Sequence, residues 1–281
     1  MSGTTRGSRG FPGARPRVIA VTSGKGGVGK TSLVANTAIC LARMGARVTV
    51  LDGDLGLANL DVLLGIVPRR TIEHFFREGV PLAEIAVEGP GGIRVIPAGS
   101  GLPELTRLDP PAQLRFAEEL LSLRRDADIV LVDTAAGIAD QVSRLLHVAD
   151  RVLLVTWPEP AALVDAYAAL KVMRGRLREV GLVVNGAASG EEARRIHRQL
   201  EAVSRRFLGE GIPLEGWIPR DEAVREAACR QRAVVLAEPF SPASRAFERL
   251  ALHLAARASA RLRGAIGERW EREARATETM H

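Results

Sequence analysis

A chain of 281 residues, 46% of them hydrophobic, can bury a sizeable core in one or two domains, and the unbroken alternation of its apolar runs favours one. Its 39 basic against 33 acidic residues, net +6 with a pI near 10.2, suit anionic partners, lipid or nucleic acid, as well as an ordinary solvated exterior. No apolar run approaches the roughly 18 residues of a spanning helix and the N-terminus has no apolar leader. Cys40 and Cys229 stand far apart, so a cytoplasmic protein with reduced thiols is expected.

Residues 1–17, rich in Gly, Ser, Thr, Arg and Pro, are expected to form a disordered arm. Val18-Ile19-Ala20-Val21 then reads as a strand covered on both faces. It leads into Gly24-Lys25-Gly26-Gly27-Val28-Gly29-Lys30-Thr31-Ser32, which fits the P-loop pattern G-x-x-x-x-G-K-[ST]. In that pattern backbone N–H groups cradle phosphates, Lys30 reaches the β and γ phosphates and the Thr31 hydroxyl ligates Mg²⁺. Only three lysines occur in the chain, and two of them stand in this loop, where a compact charge on a flexible stem is needed and a guanidinium is too bulky.

Leu33, Val34, Thr37, Ala38, Leu41 and Ala42 recur at helical spacing, with Gly45 as a left-handed stop, and Val48–Leu51 starts a second strand ending in Asp52-Gly53-Asp54. The loop therefore opens the helix of a βαβ unit, where the dipole and free N–H groups favour anions. Further strands are expected at Ile93–Ile96, Ile129–Val132, Val152–Val155, Leu182–Val184 and Glu215–Ile218. The fold predicted is an α/β P-loop NTPase over residues 18–258, a mostly parallel sheet with helices on both faces and ligands at the carboxyl ends of the strands. Asp133, after four apolar residues, has the Walker B position for a carboxylate that holds Mg²⁺ through its water shell. The Gly137 amide is a candidate switch contact to the γ-phosphate. No guanine-specifying Asn/Thr-Lys-x-Asp motif occurs, so ATP is favoured over GTP.

Lys25, at the second position of the loop, turns the motif into K-G-G-x-x-G-K-[ST], and on this the chain resembles the MinD/ParA ATPases, a family of ATP-dependent molecular switches. The segment from Asp52 to Gly65, the run Ile96–Gly101, the stretch Asp133–Ile138, and Pro158-Glu159-Pro160 leading to Asp165-Ala166-Tyr167 are similar to the FlhG branch, which controls flagellar number and placement. The likeness covers about residues 18–256. It implies a homodimer formed with ATP, in which Lys25 crosses to the phosphates of the other subunit. It also implies that Asp54 polarises the attacking water, that Asp52 supports the Mg²⁺ shell, and that Asn185, Pro219 and Asp221 line the adenine pocket.

The FlhG likeness further implies the flagellar GTPase FlhF and flagellar basal-body or regulatory proteins as partners, although the first 17 residues lack the D-Q-A-x-x-L-R segment by which FlhG proteins stimulate FlhF. Residues 259–281 form a basic tail in which Leu262, Ile266 and Trp270 alternate with Arg261, Arg263 and Arg269. By the same resemblance that tail touches the anionic inner face of the cell membrane. A MinD-like regulator of the division site, or a ParA-like partition ATPase gripping DNA through its arginine clusters, are the alternatives, the second disfavoured by the wording of the Asp52–Gly65 segment.

Overall fold

In the computed structural model, which describes residues 17–55, 59–99, 109–137, 148–173 and 179–257, every strand expected above is present. They are β1 (Arg17–Thr22), β2 (Val48–Gly53), β4 (Arg94–Ile96), β5 (Ile129–Thr134), β6 (Arg151–Thr156), β7 (Val180–Ala187) and β8 (Leu214–Pro219), joined by a two-residue strand β3 (Val87–Glu88). The sheet order is β3-β4-β2-β5-β1-β6-β7-β8. All neighbours pair in parallel except β3 with β4. The edge strand β3 is too short to show a period, which is why pattern alone does not reveal it. The expected N-terminal arm and C-terminal tail lie outside the described residues, apart from Arg17.

Hydrophobic, β-branched strands make both sheet faces apolar, and each face is covered. On one face α1 (Lys30–Arg43) packs beside α10 (Pro242–Ala256), sealing Ile19, Val50, Leu131, Leu153 and Ile218 together with Phe247, Leu250 and Leu254. The apolar stripe ending at Leu254 is thus core, as its spacing implies. The other face holds Val18, Val130, Val132 and Leu154 under α5 (Pro110–Ser122), α6 (Pro160–Met173) and α7 (Gly190–Leu208). Phe247 is fully buried, and its truncation to Ala would cost about 3–5 kcal/mol.

Chain order reverses direction across the sheet at β1, since β2 lies on one side of it beyond β5 and β6 on the other. Ligands of open α/β sheets bind at the carboxyl ends of the strands flanking such a switch point, and the P-loop leaves β1 there. At the opposite, amino ends of β6 and β8, buried Arg151 and Glu215 form an ion pair that His253 and Arg257 of the α10 terminus join. That cluster anchors the end of α10. Cys40 is buried and Cys229 exposed, and neither is in a disulfide among the described residues. Among the described residues no helix is long and apolar enough to cross a membrane.

Candidate functional site

The P-loop runs from Ser23 at the end of β1 into the first turn of α1. Gly29 caps the helix at φ 87°, a left-handed conformation that favours glycine, and a Cβ there would lie 2.3 Å from the Asn185 Nδ2. Gly24 is required by space alone, because a Cβ would meet the Asp165 carbonyl oxygen of α6 at 2.1 Å. Two of the loop glycines therefore seat it between α6 and β7. Lys25, Gly26 and Gly27 are exposed while Val28 and Lys30 are buried.

Lys30 Nζ donates to Ser23 Oγ at 3.0 Å. Burial lowers its pKa, and the charges of Asp133 and Asp54 oppose that shift. Asp133 and Asp52 are partners in register across β5 and β2, and both are buried. Burial, then the charge of Asp133, pushes Asp52 up to about 8, although backbone N–H groups of Asp54 and Leu60 counteract. Asp133 rises to about 6, again through burial, with a hydrogen bond from Thr31 and the charge of Lys30 pulling the other way. Two buried carboxyls side by side disfavour joint ionisation unless a cation joins them.

These residues fit Mg²⁺. Asp133 Oδ1 is buried without a hydrogen-bond partner, its carboxylate accepts from the Thr31 side chain, and the loop supplies a phosphate cradle next to it. Among the described residues no group of three or more His, Cys, Asp or Glu could hold a metal ion. Mg²⁺ keeps waters and takes one or two carboxylates plus substrate phosphates, and Asp133 beside the loop offers such a carboxylate. Asp54 lies beside this group, close enough for its charge to act on Lys30, Asp52 and Asp133. Asp52 does more than face the cation: its Oδ1 accepts from the Asp54 N–H at 3.1 Å and its Oδ2 from Asn59 and Leu60 at 3.3 Å. It thereby ties both ends of the Asp54–Asn59 stretch to β2.

The remaining residues of the expected site have partners within the protein. Gly137 N–H donates to the Ser23 carbonyl at 2.8 Å, so this switch amide is engaged within the protein. Lys25 Nζ lies 3.6 Å from Glu159, both side chains about half exposed. Asn185 Nδ2 donates to the Val28 carbonyl at 2.7 Å; one of its donors braces the P-loop, and the rest of the amide is what a purine edge could use. Pro219 closes β8 next to Ala187, and Arg220 sits 5.9 Å from the Trp157 ring centroid, which packs against Gly186. Asp221 serves two backbone amides: Oδ1 caps α8 (Glu222–Cys229) through Ala223 N–H and Oδ2 accepts from Ala243 N–H of α10. The sequence reading overlooked Ser23 and Glu159 as site residues. Ser23 follows β1 directly and precedes the motif by one residue, a position the motif does not specify.

Comparison with known proteins agrees with this geometry. The CobQ/CobB/MinD/ParA nucleotide binding domain matches residues 19–234. The chain belongs to this family. The antiactivator FleN of Pseudomonas aeruginosa is 42% identical to this MinD/ParA-type protein over 240 residues, covering 84% of the chain and 85% of FleN. The flagellum site-determining protein YlxH of Helicobacter pylori is 37% identical over 190 residues, 67% of the chain and 64% of YlxH. The septum site-determining protein MinD of Pyrococcus horikoshii, complexed with Mg-ADP, superposes with a TM-score of 0.69 at 26% identity, covering 85% of this chain and 95% of that one. This MinD/ParA-family member is accordingly an ATPase that works with ATP and Mg²⁺.

Proposed function

We propose that this ATPase is a dimerising switch of the FlhG type that controls flagellar number or placement. The observation that carries the reading is the 42% identity to FleN along 84% of the chain, together with a site whose Lys25, Lys30, Thr31, Asp52, Asp54 and Asp133 converge at the carboxyl ends of β1, β2 and β5. Phosphoryl transfer asks a protein for positioning and electrostatics more than for covalent chemistry, and each residue can be given a part in that. The loop N–H groups and Lys30 hold the phosphates; Asp54, tied through its backbone to Asp52, orients the attacking water. Thr31, with Asp133 and Asp52 behind it, would hold Mg²⁺, which supplies neutralisation of phosphate charge when bound. Asn185 and Pro219 would face the base.

Lys25 is the residue that makes hydrolysis report on assembly. Its pair with Glu159 is exposed and therefore weak, about 0–1 kcal/mol, so its ammonium can leave for the phosphates of a second subunit. The dimer would act in the cytoplasm, on flagellar regulatory or basal-body proteins or FlhF, and residues 259–281 would bring it to anionic lipid. Single-turnover hydrolysis tests the core of this reading. Asp54→Ala should bind ATP normally yet hydrolyse it more slowly by about 100-fold or more, the lower end of what one positioned catalytic group contributes; hydrolysis at the wild-type rate would remove Asp54 from the mechanism.

A further inference from the structure

We propose that Asn36 is a positioning residue for nucleotide binding: it turns the Ser32 hydroxyl so that its proton faces the phosphates. This rests on the nucleotide-switch reading above and deepens it. Ser32 and Asn36 stand four residues apart on α1, on one face of the helix. Helical side chains lean toward the N-terminus, so Ser32, half-buried in the first turn, leans toward the phosphate cradle and Asn36 reaches it from behind. Asn36 is 1% exposed, and a side-chain amide at that depth has to be paired.

Backbone groups set the orientation of that amide from both ends. The Val235 N–H, a donor only, lies 3.1 Å from Oδ1, and the Ser32 carbonyl, an acceptor only, lies 2.7 Å from Nδ2. Exchanging oxygen and nitrogen would set donor against donor and acceptor against acceptor, so the amide has one arrangement. Nδ2 carries a second hydrogen, and Ser32 Oγ lies 3.3 Å from it. This second bond is long, but the short one to the carbonyl fixes where Nδ2 sits. Ser32 Oγ is therefore an acceptor on the Asn36 side, and its single proton points elsewhere. The common alternative for a helical serine is a bond back to the carbonyl four residues earlier, here Val28. Asn185 Nδ2 occupies one of that carbonyl's two lone pairs at 2.7 Å, and Asn36 draws Oγ in the opposite direction along the helix. Asn36 also has a packing duty: with Arg43 Nη1 donating to the Val235 carbonyl at 3.1 Å, α1 holds both backbone groups of Val235 in α9 (Val234–Ala237).

A double-mutant cycle separates positioning from packing, read as the affinity of the full-length protein for Mg-ADP by calorimetry. Ser32→Ala should weaken binding about tenfold, the scale of one hydrogen bond to a charged group. Asn36→Ala should weaken it by about threefold, the share lost when a hydroxyl proton spreads over three staggered positions, or by more, up to the loss that Ser32→Ala sets. In the Ser32→Ala background the same Asn36→Ala change should cost nothing further, because no proton is left to direct. An equal factor in both backgrounds would make Asn36 a packing residue and overturn the proposal, as would wild-type affinity in either single variant. If Asn36→Ala does not fold by circular dichroism, Asn36→Thr takes its place under the same criteria: its one proton can serve the Ser32 carbonyl and leaves none for Oγ. The Ser32→Ala arm stands whichever Asn36 variant is used. Should the wild-type protein bind no Mg-ADP, the nucleotide reading itself fails and the proposal falls with it, an outcome distinct from a wild type that binds and a cycle that is additive.

Discussion

Asp52→Asn in the nucleotide-free, Mg²⁺-free protein should flatten the pH dependence of stability. The Asp52 carboxyl is held up at about 8 by burial and by Asp133, against about 3.9 in an unfolded chain. A raised folded-state pKa means that the folded protein binds the extra proton, so the stability this carboxyl contributes is fullest below about pH 4 and is lost as pH rises toward 8. Each pH unit inside that window is worth about 1.4 kcal/mol, which sets a ceiling of about 4 kcal/mol lost between pH 5 and 8 through this residue. Asn cannot ionise, and its Oδ1 can still accept from the Asp54 N–H, although its amide must face Asn59 or Leu60 at a cost of about 1–3 kcal/mol. The variant should therefore be less stable than wild type at pH 5 and lose much less between pH 5 and 8. Urea unfolding at half-unit pH steps reads this directly. Equal slopes for the two proteins would refute the claim that burial and the Asp133 charge hold the Asp52 carboxyl up.

Gly24→Ala should weaken nucleotide binding and lower the melting temperature together, since its Cβ would press the Asp165 carbonyl at 2.1 Å; a protein unchanged in both would show that the loop does not seat on α6. Asp221→Ala should cost about 1–2 kcal/mol of stability, the scale of a lost helix cap, with ATP affinity intact, because both carboxylate oxygens serve backbone amides of α8 and α10. A selective loss of adenine over guanine nucleotide preference would return Asp221 to the base site. Deleting residues 259–281 should abolish salt-sensitive binding to anionic liposomes in the presence of ATP and spare hydrolysis, given about 1 kcal/mol per arginine near such a surface and the gain from two tails in a dimer. Liposome binding by the truncated protein would assign membrane contact elsewhere.

The P-loop and its strand–helix context were readable because their chemistry is local: Gly24 to Thr31 is one contiguous segment between Val18–Val21 and the stripe Leu33–Leu41, and the carboxylates Asp52 and Asp133 stand at the ends of apolar runs whose parallel register follows from the sheet. Pairings between distant residues were not readable. Nothing in the order of residues says that Asn185 reaches the Val28 carbonyl 157 positions away, or that the Asp221 carboxylate ties two helices together. Ser23 was hidden for a related reason. Its role consists of backbone and hydroxyl bonds made only after the loop folds back on Lys30 and the segment at Gly137 lies beside it. The two-residue strand β3 carries too few positions for alternation to register.

Sedimentation of the full-length protein with Mg-ADP and with Mg²⁺ and a non-hydrolysed ATP analogue addresses the central claim most directly. A monomer with ADP, a dimer with the analogue, and a Lys25→Ala protein that binds the analogue but stays monomeric are the results expected. The same mass with both nucleotides, or a Lys25→Ala protein that dimerises like wild type, would contradict the account of this ATPase as a switch closed by Lys25 across its dimer.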